Sequence, residues 1–268
     1  MSRNTPTSVT TTVLLPALAL AGALLTACSP QASSPAAAAS SPAAATAAAH
    51  PDFSGYWNLD MKVPVDPELM SKVAPGTVLL TDTGPAEFPR GEYGGLKLKP
   101  AALEKARKWD PKEQLSIHNV CRAPSIIYAM QGPFPIEIFQ GERFIIMKLE
   151  YYDMVRIIFM DGRKADANYP HSMEGFSTGH WEGSTLVVNT DHLEAATITN
   201  NGLDHTQDAR VIERFKLSAD GRSLLATQEF EDPAVLDNRG VRFIAWTRQP
   251  GQHVYPYDCD PSFAGNYK

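Results

Sequence analysis

Residues 210–231 read RVIERFKLSADGRSLLATQEFE. Two runs of alternating apolar and polar side chains, Arg210 to Leu217 and Ser223 to Glu231, flank Ser218-Ala219-Asp220-Gly221, which is the pattern of an antiparallel hairpin. The first run sets Val211, Phe215 and Leu217 on one face and places Glu213 among them. The second sets Leu224, Ala226 and Phe230 together with Gln228. A slip of one residue would turn each set to the opposite side, so both faces are firmly specified. The same period runs outward from this hairpin. Pro135 to Gln140, Arg143 to Glu150 and Met154 to Met160 alternate in Ile, Phe, Met and Val. Gly175 to Glu182 and Ser184 to Thr190 flank a tight Glu182-Gly183 turn. Val241 to Arg248 follows, and a strand around Trp57 opens the series. Nine short strands joined mostly by hairpin turns leave bare edges unless they close or stack, so the expectation is a mainly β domain: an antiparallel barrel or strongly curved sheet. Helical signals are confined to the N-terminal part. Asp66-Pro67-Glu68 is a capped start, and Pro100 to Trp109 reads as a helix stopped before Asp110-Pro111.

The region ahead of the strands has a different chemistry. Arg3 precedes an apolar run of 16 residues, Thr12 to Ala27 (TVLLPALALAGALLTA), the length of a secretory h-region and short of a spanning helix. Leu25-Thr26-Ala27-Cys28 resembles the bacterial lipobox, which implies a signal peptide over 1–27, cleavage before Cys28, and lipidation of that cysteine. Two or more acyl chains anchor firmly where one holds only marginally. The expected address is the cell envelope on the periplasmic side; Ser29 in place of Asp favours the outer membrane. Residues 29–50 (SPQASSPAAAASSPAAATAAAH) have too little large apolar surface to order themselves and read as a linker. A single folded domain is expected over 51–268. The net charge of −6 without a basic cluster argues against nucleic acid as a partner. With Cys28 lipidated, Cys121 and Cys259 remain, and in an oxidising compartment they are expected to pair.

Polar side chains on the apolar faces are the candidate site. Glu213 and Gln228 point with the core residues, and Arg156 does so between Met154 and Ile158. Buried charge is costly unless paired. Two readings of Glu213 stay open: a structural pair with Arg156, or the polar floor of a ligand cavity with a carboxyl able to act as base. His205 lies in the polar loop Asn200 to Thr206, directly before the strand carrying Glu213. The seven histidines show no metal-ligand spacing, and no nucleophile elbow, phosphate loop or dinucleotide fingerprint occurs, so no metal or cofactor is expected.

Gly55-Tyr56-Trp57 resembles the Gly-x-Trp signature of lipocalins, in which the Trp closes the bottom of the barrel. Gly179-His180-Trp181-Glu182-Gly183-Ser184-Thr185-Leu186-Val187-Val188 resembles a block found in a broad, largely uncharacterised family of exported bacterial proteins. Pro133 to Ile138, Asp161-Gly162-Arg163 and Val211 to Phe215 support the likeness, which implies a lipocalin-like (calycin-type) barrel and brings no agreed activity. Three roles follow as expectations. In the first, a lipid-anchored protein binds a small hydrophobic or aromatic molecule in the barrel, with Trp57, Tyr152 and Gln228 as ligand contacts. In the second, a lyase, isomerase or hydratase needs no cofactor: His205 or Glu213 is acid or base, Arg156 stabilises an oxyanion, and Tyr151 or Tyr152 donates a proton. The third is an envelope assembly lipoprotein.

Overall fold

The computed structural model describes residues 50–266; the proposed signal, Cys28 and the linker as far as Ala49 lie outside the described residues. The described residues belong to one compact unit, which holds the whole buried apolar cluster. The strands are β1 (Gly55–Leu59), β2 (Val78–Leu79), β3 (Ile136–Gln140), β4 (Phe144–Leu149), β5 (Val155–Phe159) and β6 (Phe176–Glu182). They continue with β7 (Thr185–Asp191), β8 (Thr197–Thr199), β9 (Leu203–Asp204), β10 (Arg210–Leu217), β11 (Ser223–Glu231) and β12 (Gly240–Arg248). Nine of them close in the order β1-β3-β4-β5-β6-β7-β10-β11-β12, with β12 pairing back to β1. These are the nine strands expected from the alternation. β2 adds outside the ring, parallel to β12 at Gly240 and Val241, and β8–β9 form a separate ribbon.

Two expectations need correction. The barrel is mixed: β5 and β6 run parallel, pairing Ile158 with Ser177 and Phe159 with Thr178. A parallel junction requires a long crossover, here Met160–Gly175, which carries the chain back to the end where β5 began. The described residues also hold four short α-helices, α1 (Pro67–Ser71), α2 (Pro100–Arg107), α3 (Pro111–Gln114) and α4 (Ile126–Ala129). The first two stand where capping signals place them. Asp66 caps α1 by accepting from the amides of Glu68 and Leu69. The last two were not expected.

The barrel has two unlike ends. One carries the tight turns after β3, β6 and β10 and is filled with large side chains: Trp57, Phe215, Leu224 and Trp246 are 0% exposed and touch no water-sized space. The Arg248 guanidinium lies 4.4 Å over the Trp57 ring. The chain comes in at this end. Gln140, the last residue of β3, hydrogen-bonds Pro51 and Phe53, and the His50 ring stacks on Trp181 at 4.5 Å. The opposite end, the mouth, carries the longer connections and is capped by α4. Gln228 donates to the carbonyl of Ile126 at 3.0 Å and Arg242 to that of Ile127 at 3.0 Å.

Candidate functional site

Just below α4 the lumen turns polar. Arg156 donates through Nε to Ser177 (3.0 Å) and through Nη2 to Thr190 (2.8 Å) and to the Glu213 carboxylate. Gln228 reaches Glu213 Oε1 at 3.5 Å. A second pair, Arg242 with Asp82, is held by two hydrogen bonds of 2.8 and 2.7 Å, and Arg242 also donates to the Ile198 carbonyl. All four charged groups are buried, and each charge has its opposite in contact. Arg156 Nη1 and Gln228 Oε1 are buried with no protein partner among the described residues. This cluster ties β5, β6, β7, β10, β11 and β12 to the α4 cap. Both lumen carboxylates already accept from a guanidinium, so neither is poised as a free base.

His205 bonds to Ser125, the N-cap of α4, and no hydrogen bond joins it to Glu213 or Arg156. The ring is buried rather than at a loop surface. Its Nδ1 lies 2.9 Å from the Thr206 carbonyl and its Nε2 lies 2.6 Å from Ser125 Oγ. A carbonyl only accepts, so Nδ1 carries the proton of the neutral ring and Nε2 accepts from the Ser125 hydroxyl. Burial holds the imidazole below its ordinary pKa, against the opposing pull of the Thr206 carbonyl and of Asp232. Asp232 fixes the far side by accepting from the Thr206 hydroxyl at 3.0 Å. The pair has the form of a base facing a hydroxyl, and Ser125 is 0% exposed.

Next to this pair, at the mouth, opens a groove of about 870 Å³. Its aromatic lining comes from four separate stretches of chain: Trp109 after α2, Tyr128 in α4, Tyr151 and Tyr152 between β4 and β5, and Tyr257 in the C-terminal tail. The β4–β5 turn is strained to present its pair, since Tyr152 (φ 56°) and Asp153 (φ 54°) both adopt left-handed backbone. Tyr152 then donates to the Val120 carbonyl at 2.8 Å. Tyr151 stacks on Phe134 at 4.5 Å, and Tyr257 lies 4.6 Å from Tyr152. The tail is fastened by the Tyr257 amide donating to Asp153 at 3.0 Å and by the Cys121–Cys259 disulfide. Burial pushes the Tyr128 and Tyr151 phenols upward, and Tyr152 up to about 12. These side chains are neutral, and two of them have already given their one proton, Tyr152 to the Val120 carbonyl and Tyr128 to Glu87, so what they present to the groove is mainly aromatic surface. Gly202, at φ 101°, forms part of the wall beside Trp109. A Cβ there would lie 2.4 Å from that of Trp109, so only glycine lets α2 approach the β8–β9 ribbon.

The sequence-derived residues thus fall in separate places. Arg156, Glu213 and Gln228 meet in the lumen; Tyr151 and Tyr152 line the groove; His205 is buried beside Asp204, which lines it; Trp57 closes the opposite end. Cys121 and Cys259 are bonded, and Cys28 lies outside the described residues. Trp109, Ser125, Tyr128 and Tyr257 were not singled out from the sequence. One signal pointed to Tyr257: it stands two residues before a cysteine expected to pair with Cys121. Neither a protein-family model nor a curated protein of similar sequence matches the chain, so the groove is read from its own chemistry.

Proposed function

We propose that the chain is a lipid-anchored envelope protein that binds one small aromatic or hydrophobic molecule, and that the molecule sits in the mouth groove instead of the lumen. The observation that carries this reading is the ring of Trp109, Tyr128, Tyr151, Tyr152 and Tyr257 around a space of about 870 Å³. That volume suits a drug-sized ligand, and beside the aromatic side chains the lining carries charged ones, among them Lys105, Arg122, Asp204 and Asp258, so the wall is mixed. The flat aromatic faces favour a ligand with a flat apolar body. The lumen is unsuited, because its side chains fill the closed end and its polar groups pair with one another.

The test is native mass spectrometry and Trp fluorescence titration on residues 47–268, a unit whose core is its own. A bound mass lost on denaturation, or saturable quenching by small aromatic acids and ketones, is expected. Tyr151→Ala with Tyr257→Ala should weaken that binding about tenfold, the loss of one aromatic pair. Glu213→Gln should leave the affinity of the folded fraction unchanged, whatever it costs in stability. No bound mass and no response across the panel would refute the reading.

A cofactor-independent acid–base enzyme is the second reading, and one contact favours it. The His205–Ser125 pair is buried next to the groove, which Pro124 and Asp204, their chain neighbours, help to line. Turnover of a groove ligand, lost in His205→Gln with binding retained, would move the assignment to this reading.

A further inference from the structure

The charges along the mouth groove do not balance one another. Lys105 lies 2.9 Å from Asp204 and Lys108 2.7 Å from Glu104, so both lysines of the lining are paired. Arg122 is the lining cation with no carboxylate in contact among the described residues. Against it stand four lining carboxylates with no cation in contact among the described residues. Of these, Asp110 accepts from the Lys112 amide, Asp260 from the amide and hydroxyl of Ser262, and the Glu113 and Asp258 carboxylates from nothing. Two further carboxylates touch the aromatic residues themselves without an ion pair: Glu87 accepts from the Tyr128 phenol and Asp153 from the Tyr257 amide. Beside burial, the Glu87 charge helps to hold the Tyr128 and Tyr151 phenols up, and at Tyr128 it outweighs the opposite pull of Arg242. The rings of Tyr151, Tyr152 and Tyr257 touch at centroid separations of 4.7, 5.6 and 4.6 Å, which makes them one π surface.

We propose that the ligand of this groove is an organic cation: an ammonium, above all a quaternary one, on an apolar or aromatic body. The proposal rests on the groove being the ligand site and names what that site selects. Aromatic faces carry the negative side of the ring quadrupole and attract a cation laid against them, most of all one that is readily desolvated. Carboxylates nearby add to that attraction without having to touch the ligand. A quaternary ammonium asks for no hydrogen bond, and the Tyr128 and Tyr152 hydroxyls have already given theirs to Glu87 and to the Val120 carbonyl. An anion would instead meet uncompensated carboxylates with Arg122 as its one unpaired counter-charge. A neutral ligand would gain from the rings and nothing from the charge. The carboxylates do not select a bare metal ion, because no three potential ligands converge on one point among the described residues.

Calorimetric titration of residues 47–268 compares meta-hydroxyphenyl-trimethylammonium, its neutral isostere meta-tert-butylphenol, and meta-hydroxybenzoate. The ammonium is expected to bind about tenfold more tightly than its isostere, with the benzoate weakest and the difference shrinking as salt is added. Asp258→Asn with Glu113→Gln should cut the advantage of the ammonium about threefold. Neither side chain holds anything in the fold, so this variant covers the case of an aromatic variant that misfolds. Tyr257→Leu should cut the advantage as well, because it keeps an apolar side chain and removes the ring. Equal binding of the ammonium and meta-tert-butylphenol would overturn the proposal and leave the groove standing as a site for neutral ligands. Tightest binding of the benzoate would also overturn it, and would give the ligand's charge to Arg122. So would an ammonium advantage that survives both the carboxylate and the Tyr257 variants, since the cation would then lie elsewhere. If none of the three binds at millimolar concentration, the proposal and the groove reading fall together.

Discussion

Arg156 and Glu213 show how one pair of side chains can look functional in a sequence and be structural in the fold. Taking either charge out of water is expensive, and only its partner offsets that cost. Removing one partner, as in Glu213→Gln or Arg156→Met, should therefore destabilise the barrel by about 3–5 kcal/mol. Replacing both, as in Arg156→Met with Glu213→Leu, should cost much less than the sum; urea unfolding of the three variants measures the difference. His205 gives a second prediction through pH. Unfolded, its imidazole titrates near 6.5; folded, it titrates lower, because burial disfavours the cation. Below 6.5 the unfolded chain binds the extra proton, so stability falls with pH by at most about 1.4 kcal/mol per unit. Asp52 and Asp66, whose carboxyls lie below their ordinary 3.8, act only at more acid pH. Stability curves between pH 7 and 5 should flatten in His205→Gln; an equal slope in both proteins would show that another group carries the effect.

Among the elements, α2 depends on a residue in another segment. Gly202 has a positive φ and sits against the Trp109 Cβ and the Ala106 carbonyl. Gly202→Ala should cost roughly 2–4 kcal/mol, through backbone strain and displacement of α2 together. A thermal melt reads the loss, and a red shift of Trp109 emission reads the displacement. The nine barrel strands were legible because a two-residue period is written into each of them. Glu213, Gln228 and Arg156 could even be assigned to the inner face from the same alternation. The parallel β5–β6 junction was not legible, since Met160–Gly175 carries no periodic signal to say where the chain returns. Nor was α4, because the apolar run from Ile126 to Met130 is too short to tell a buried helix from a strand. The groove was hidden for a third reason: its aromatic residues come from four segments that only the closed barrel brings together.

At the scale of the molecule, the C-terminal tail is an accessory to a barrel already complete. After β12 it hydrogen-bonds Tyr56, Glu137, Glu150 and Asp153 in turn before reaching Cys121. Cys121→Ser with Cys259→Ser should lower stability by roughly 4–5 kcal/mol in the chain-entropy picture of so long a loop. It should also weaken ligand binding, because Tyr257 loses its fastening. Equilibrium unfolding and fluorescence titration separate the two losses, and retained affinity would remove Tyr257 from the site. The same disulfide has a topological consequence. Cys121 and Cys259 enclose eight of the nine barrel strands in a covalent ring, and β1 alone lies outside it. The barrel is thus a ring with one missing stave, supplied from elsewhere in the chain and held between β3 and β12 only by hydrogen bonds and by the seating of Trp57. A cut anywhere between β1 and Cys121 makes that stave a separate peptide, and the molecule becomes a two-part kit that is whole only while both parts are present.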